Sequence, residues 1–553
     1  MVRTDIESAV KEVLSTFGME SKEVLIEHPA LASLGDFATN AAIVYAKKIG
    51  KSPQAFAGEL IEKLLEKHIS EVEKIEVAGT GFVNFFLSRE YFTKNTNEIL
   101  SHRDAYGTNK TLAEKKVIVE YTDPNPFKEF HIGHLMSNAI GESISRLIEA
   151  AGAEVKRACY QGDVGLHVAK AVWGMKTGEK ELGQAYARGS RAYDEDERAK
   201  KEISELNKTI YAKNDSSVNE LYGRGRKESL EKFEGMYQRL GTTFDSNFNF
   251  FESETGPVGV DLVRRNLGKV FEESDGAIVF RGERAGLHTR VFITTEGLPT
   301  YESKELGLAK LKQEKYGADV SVVVTGNEVT DYFKVVLAAM KEIPELSWQT
   351  EKIVHIPHGM LRLPSGKMSS RTGDVISAED LLAEIRARLT EKIDPSNEKL
   401  LNDVSVAAVK YSMLKQEAKK DIIFDIEKSI SLSGDSGPYL EYTYARCRSI
   451  LEKAKGENIV VSVANPSLAT LDIERKLSHF PEVVLRAAEA YAPHYLATYL
   501  YELAGAFNTF YNNVVIVKTN DPESSYKCAV TDAVGTVLAR GLSLLGIAAP
   551  ERM

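Results

Sequence analysis

Two short stretches of this chain bring together residues that could handle the phosphates of a nucleotide. One is His131-Ile132-Gly133-His134, and the other, far downstream, is Lys367-Met368-Ser369-Ser370. Two histidines three residues apart share one face of a first helical turn. Gly133 lets a ligand approach the backbone with no Cβ in the way. A helix N-terminus also carries free N–H groups and partial positive charge, which favour phosphate. His131 and His134 can then hydrogen-bond the phosphate and ribose of ATP and stabilise a pentavalent α-phosphate. That step needs positioning and charge more than covalent chemistry. In the second stretch Lys367, Ser369, Ser370 and Arg371 offer cation and hydroxyl donors on a loop bracketed by Pro, Ser and Gly. Such a loop suits a lid over departing pyrophosphate. Taken alone, the first box is equally a helix cap or a metal pair, and the second a solvated basic turn. Together and in this order they point to an ATP site formed by His131, Gly133, His134, Lys367, Met368, Ser369 and Ser370.

These boxes need elements to hold them. Val117–Tyr121 is a short β-rich run, followed by a Pro/Asn turn and a helix from about Ile132 to Ala150. That strand-turn-helix unit begins a parallel α/β sheet. Further strands are expected at 155–160, 290–295, 321–326 and 352–356. Residues 177–248 are rich in Lys, Glu and Arg at helical spacing and read as a helical insertion between two halves of the α/β domain. Before residue 110, helical spacing covers 36–50 and 53–68, and a strand pair surrounds Gly79 and Gly81. From about Glu379 onward almost everything is helical. The expected fold class is α/β: a Rossmann-type domain over 109–378, an α+β domain over 1–108 and an all-helical bundle over 379–553.

Bulk properties limit the partners. At 553 residues the chain is too long for a single core, and no run reaches the roughly 18 to 20 apolar residues of a membrane helix. The first twenty residues are amphipathic and mixed in charge, so the start is read as that of a folded domain and not as a secretory signal. Cys159, Cys447 and Cys528 stand far apart with no CxxC, which argues against zinc or a disulfide framework and suits a reducing cytoplasm. A net charge of −10 looks unfavourable for a nucleic-acid partner. It is a global sum, however, and a positive face can sit on an acidic protein.

With these motifs in place, the chain resembles a class I aminoacyl-tRNA synthetase, and within that class the arginyl-tRNA synthetase family, along nearly its whole length. The stretches that carry the resemblance are GDFATNAAI, GFVNFFLS, EYTDPNPFKEFHIGHLMSNAIGESISRL, YQGDVGLHVAK, GLPTYESKELGLAK, HGMLRLPSGKMSSRTGDVI, SGPYLEYTYARCRSIL and the terminal LLGIAAPERM. The spacing from Asn125 to His131 and the Pro-Glu-Arg-Met ending are the family-specific parts. The resemblance implies an arginine–tRNA ligase that uses ATP with Mg2+ to form arginyl-adenylate and transfers arginine to the 3′ end of tRNA(Arg). It also implies a monomer, a tRNA-binding N-terminal domain and an anticodon-binding C-terminal one.

A guanidinium is best met by a carboxylate in fork geometry. The resemblance supplies Tyr301 and Glu305 for the substrate side chain, with Glu120 as a second acidic contact. Asp123, Asn125 and His167 fall where the family holds the α-amino and carboxylate ends, with Asp163 nearby. It assigns the reaction to His131, His134, Lys367 and Lys128. Three positions depart from the pattern: Glu305 is longer than the usual Asp; Val329, in an ungapped reading, stands where relatives carry glutamine, so that either the register slips by one to Glu328 or the contact is missing; and Ser370 replaces the last lysine of the second box. Lys128, three residues before His131, is expected to replace that lysine's charge. For tRNA, Phe82 and Asn84 match a D-loop-contacting pair, and Tyr511 and Met553 match positions near the anticodon, beside Phe507, Asn508 and Arg446. Tyr439, Tyr442 and Tyr444, at helical spacing, read as core.

Competing readings are a cysteine-specific class I enzyme, disfavoured by the absence of zinc-type cysteines, and a small nucleotidyltransferase, disfavoured by the flanking domains. A non-catalytic RNA-binding protein would carry damaged boxes, and here both are intact. A helical adaptor built on 177–248 would not need them.

Overall fold

Hydrophobic runs such as Val117–Val119 and Val322–Val324 are buried on both faces, as the strands of a covered parallel sheet must be. The computed structural model describes residues 2–20, 24–364, 376–466 and 469–553 and divides into two compact units. One contains residues 107–445, 481–501 and 538–553. Its centre is a five-stranded sheet: β1 (Lys116–Glu120), β2 (Glu154–Gln161), β3 (Asn249–Phe251), β4 (Val320–Gly326) and β5 (Ile353–His358). The spatial order is 5-4-1-2-3 and every pairing is parallel. The strand order reverses between β1 and β4, so a crevice opens at their carboxyl ends, where doubly wound sheets bind ligands. Glu120, the last residue of β1, lies in register with Val323 of β4 and Ala158 of β2.

The helix α1 (Ile132–Ala150) follows β1, as expected, and α2 (Leu166–Lys176) follows β2. The charged 177–248 stretch forms three helices, α3 (Leu182–Glu195), α4 (Glu197–Ala212) and α5 (Ser216–Leu240). Their apolar stripes share a core with α2 that includes Phe127, Val168, Val172, Ile203 and Ile210. Helix α5 is bounded by Asp215, which accepts from the Ser217 and Val218 N–H groups, and by Gly241 in the left-handed conformation at φ 65°. After β3 come α6 (Glu252–Arg265) and α7 (Tyr301–Tyr316).

Three expectations change. The 290–295 strand does form, over Arg290–Ile293, but in a separate antiparallel three-stranded sheet with Glu272–Ser274 and Ala277–Phe280. The fifth parallel strand is instead Asn249–Phe251, too short to show a period. In the N-terminal stretch Phe37–Thr39 is a strand, and the helix begins only at Ala41.

The other unit holds residues 1–106, 446–480 and 502–537. A four-stranded antiparallel sheet runs Ile26–Glu27, Phe37–Thr39, Phe82–Leu87, Val72–Ala78 in spatial order. It packs one face on helices Val2–Thr16, Ala41–Ile49 and Pro53–Leu65 through Val10, Phe56, Leu60 and Phe85. Arg103 forks onto Asp532 with two bonds of 2.8 Å. Buried Glu474 receives Arg89 at 2.9 Å and the Tyr526 hydroxyl. No helix among the described residues is long and apolar enough to cross a membrane.

Candidate active site

His131 caps α1 from the extended conformation, its Nδ1 accepting the N–H groups of Gly133 at 3.1 Å and His134 at 3.4 Å. In return His134 Nδ1 accepts the His131 N–H at 3.2 Å. This is a capping box built from two histidines. Because both Nδ1 atoms are acceptors, the neutral rings carry their protons on Nε2. Neutrality follows from the surroundings. Burial, then Lys128 and His358, push His131 down to about 4. Burial, His131, Lys128 and His358 push the buried His134 well below its usual range. The pair therefore offers two uncharged N–H donors at a helix N-terminus.

Between Glu120 and His131 the chain turns sharply. Thr122, Asp123 and Phe127 have φ of 77°, 47° and 70°, and the left-handed region costs such residues about 1–3 kcal/mol each. Neighbours hold the strained turn: Asp123 Oδ1 accepts the Tyr160 N–H at 2.7 Å, and the Phe127 N–H donates to Ser229 Oγ at 2.8 Å. The turn brings Asn125 against Gly162, where a Cβ would stand 2.2 Å from Asn125 Oδ1. His167 Nε2 meets the Gly162 carbonyl at 2.8 Å, and burial holds this ring at about 3, so it is neutral.

Carboxylates gather at the end of β1. Glu305, on the first turns of α7, is pushed up to about 8 by burial first and then by Glu120. Burial, and Glu120 after it, also raise Asp123 well above the carboxylate range. Two lysines offset part of this charge: Lys312 reaches Glu120 at 3.0 Å, and Lys304 reaches Glu252 at 2.6 Å. Tyr301, 58% exposed, stands one turn before Glu305 with the Lys304 ammonium over its ring at 5.1 Å. Among the described residues no ion pair joins a lysine or arginine to Glu305, and Lys312, which bonds Glu120, offsets only part of its burial and of the Glu120 charge. Val329 lies in the short turn Asn327–Val329 after β4. Three residues on, burial and the facing Glu305 hold the Tyr332 hydroxyl above its ordinary range.

The structure brings Glu120, Asp123, Asn125, His167 and Glu305 to one crevice and puts His131 and His134 at its helix. Lys128 lies half-buried over the Tyr186 ring of α3 at 5.3 Å. Its pKa is lowered by burial and by neighbouring Lys170. Asp163 is consumed structurally: it accepts from Arg226 at 3.0 Å, Tyr222 at 3.0 Å, and the Ser253 N–H and hydroxyl at 2.8 Å each. Those braces, with Ser229, come partly from α5. The insertion thus supports the site, and nothing in its charged sequence signalled that. Glu252, Lys304, Lys312 and Tyr332 were also missed, though Lys304 and Lys312 lie on the same helix as Glu305.

Lys367, Met368, Ser369 and Ser370 lie outside the described residues. Just after them, the Ile376 carbonyl accepts the Ile132 N–H at 3.2 Å, and Ala378 N–H donates to Phe130 O at 2.8 Å. The chain leaving the second box is therefore laced to the first. In the other unit Phe82 is half-buried and Asn84 buried on the sheet. Tyr511 is 42% exposed, with the Arg446 guanidinium 5.0 Å from its ring centre and Phe507 stacked on it. Met553 is half-buried at the chain end. Among the described residues no group of three His, Cys, Asp or Glu side chains is placed to hold a metal ion.

A parallel sheet in this order, with paired histidines capping the helix after its central strand, defines a class I aminoacyl-tRNA synthetase catalytic domain. The family model for the tRNA synthetases class I (R) catalytic domain matches residues 95–426. Models for the arginyl tRNA synthetase N terminal domain and the DALR anticodon binding domain match 1–87 and 440–553. The chain belongs to the arginyl-tRNA synthetase family. It is 31% identical to the arginine–tRNA ligase of Clostridium acetobutylicum over 97% of each chain. Its identity to that of Lactococcus lactis is 32%, over 100% of this chain and 99% of the relative. Among solved structures, Thermus thermophilus arginyl-tRNA synthetase superposes over 100% of both chains with a TM-score of 0.75 at 25% identity.

Proposed function

We propose that this member of the family, an arginine–tRNA ligase, condenses arginine with MgATP in the crevice between β1 and β4 and passes the arginyl group to the 3′ end of tRNA(Arg). The observation that carries the residue-level reading is the raised carboxyl of Glu305 beside Glu120, lying at the same crevice as the stacked histidines. Arginine enters with its guanidinium toward Glu305, Tyr301 and Glu120, and with its α-amino and carboxylate ends toward Asp123, Asn125 and His167. The Nε2–H groups of His131 and His134 receive the α-phosphate and ribose, and Gly133 gives them room. As the arginine carboxylate attacks the α-phosphorus and the bond to the β-phosphate breaks, charge builds on pyrophosphate. Lys128 and Lys367, with Met368, Ser369 and Ser370, meet that charge. Mg2+ enters as part of the ATP substrate.

The same reading assigns Phe82 and Asn84 to the tRNA D-loop, and Tyr511 and Met553 to the anticodon. Exposed Tyr511 with a guanidinium over its ring is a base-stacking platform. For Asn84, which is buried, contact requires its neighbours to part. Three matched spans support a three-domain reading, read here as 1–108, 109–378 and 379–553, although the catalytic-domain match runs on to residue 426. Three free, buried cysteines support work in a reducing cytoplasm, and the family resemblance supports a monomer. ATP–pyrophosphate exchange with each amino acid in turn, with and without tRNA, tests the whole. Exchange with arginine alone among the amino acids is expected, and exchange with another would overturn the assignment of the pocket.

A further inference from the structure

Several polar residues in the middle of α1 have no part in the chemistry above. Ser137, Asn138, Glu142 and Ser143 are all buried. Three of them grip the two residues that follow Glu120. The Thr122 N–H donates to Ser137 Oγ at 2.9 Å, Asn138 Nδ2 donates to Thr122 Oγ1 at 3.0 Å, and the Tyr121 hydroxyl donates to Glu142 Oε2 at 2.5 Å. Gly141 lets α1 lie against the Tyr121 ring, since a Cβ there would stand 2.2 Å from it. Glu142 is also bonded by Arg146 at 2.7 Å and Arg157 at 3.2 Å. Burial pushes its carboxyl up, but the two guanidiniums and the phenol outweigh burial and hold it below the ordinary range. It stays an anion in the core.

Arg146 extends the network to a distant part of the sequence. It donates to the carbonyls of Ser543 at 2.8 Å and Gly241 at 2.9 Å, and Ser143 Oγ donates to the Leu544 carbonyl at 3.0 Å. Lys410 bonds the Leu240 carbonyl at 2.6 Å and that of Gly546 at 2.8 Å. The C-terminal ends of two helices, α5 and the helix ending at Leu544, thus give their last carbonyls to the Arg146 guanidinium and to the Lys410 amine, whose pKa burial lowers. The guanidinium is held by the carboxylate that sets Tyr121.

We infer that Glu142 is a positioning residue for the amino-acid pocket. It fixes Tyr121, and with it the strained turn presenting Glu120 and Asp123, and through Arg146 it ties that setting to the turn at Ser543–Gly546. The inference rests on the reading of Glu120 and Glu305 as the guanidinium site.

The test is pyrophosphate exchange with tRNA present, reading KM for arginine and for ATP separately. Tyr121→Phe deletes one hydroxyl and keeps the ring against Gly141. Losing that buried bond raises KM for arginine about fivefold and leaves KM for ATP within about twofold of the parent. Arg146→Gln, which cuts the link to Ser543, gives the same selective rise. Equal shifts in both KM values, or none in Tyr121→Phe, overturn the inference. A parent chain that fails to activate arginine overturns the pocket reading instead, so the two failures are distinguishable.

Discussion

The rings of His131 and His134 stack with centroids 3.6 Å apart and 19° between their planes. Each ring gives its Nδ1 to a backbone N–H of the helix start, so the helix fixes the tautomer of both. Protonating either Nδ1 would set an N–H against the backbone N–H it now accepts, so the bonds as well as the burial keep both rings neutral. The pair presents neutral N–H donors, and the Lys128 ammonium lies close by.

This arrangement has a signature in stability. An unfolded histidine titrates near 6.5, whereas His131 is held down to about 4 by burial, Lys128 and His358. Below pH 6.5 the unfolded chain therefore binds protons that the folded chain refuses. The contribution of this site is complete above about pH 6.5 and is lost as pH falls toward 4. Melting temperatures from pH 7.5 to 4.5 should fall more steeply for the parent than for His131→Gln, which cannot titrate. Parallel curves would argue against a depressed His131.

Glu305 behaves in the opposite sense. Its carboxyl is raised to about 8 by burial and Glu120, so it is largely protonated at pH 7 without arginine. A bound guanidinium favours the carboxylate, and binding then expels a proton. KM for arginine should fall as pH rises from 7 to 9. Glu305→Gln should raise it by about tenfold or more, a charge-assisted bond being lost, and flatten the dependence. A flat profile in the parent chain would count against the assignment.

Lys128→Ala is expected to lower pyrophosphate exchange by about tenfold or more with little change in melting temperature, because one phosphate-facing cation is lost and no core is disturbed. Near-normal exchange would refute the idea that Lys128 makes up for the serine at position 370.

Tyr511→Ala should raise KM for tRNA by about fivefold or more, since a base stacked on an aromatic side chain is worth about 1–3 kcal/mol. The fold-rise should be about the same at low and high salt, because stacking, unlike a phosphate contact, releases no counterions. Unchanged charging kinetics would remove Tyr511 from the interface.

Much of this protein was legible in its sequence because the signals were local. The helix from Ile132 to Ala150 was readable from its spacing, and its start from the Pro/Asn turn before it. Strands β1, β2, β4 and β5 were legible as apolar runs long enough to fill a covered sheet. The arginine family followed from motifs at fixed spacing and is confirmed by the family models. Other features depend on residues far apart in the chain. No local pattern marks Asn249–Phe251 as a sheet edge, because three residues carry no period. Nor does the charge of 177–248 reveal that Tyr222 and Arg226 brace Asp163.

The His131-Ile132-Gly133-His134 stretch by itself determined that two imidazoles stand at a helix start, since that placement is specified by neighbours in the chain. Only the tertiary structure decided their charge and the state of Glu305, because a pKa depends on burial and on charges that the fold brings in from elsewhere. Folding alone places His358 near the histidines and Glu120 near Glu305. It also laces Ile376 and Ala378 to the first box and places Ser543 against Arg146.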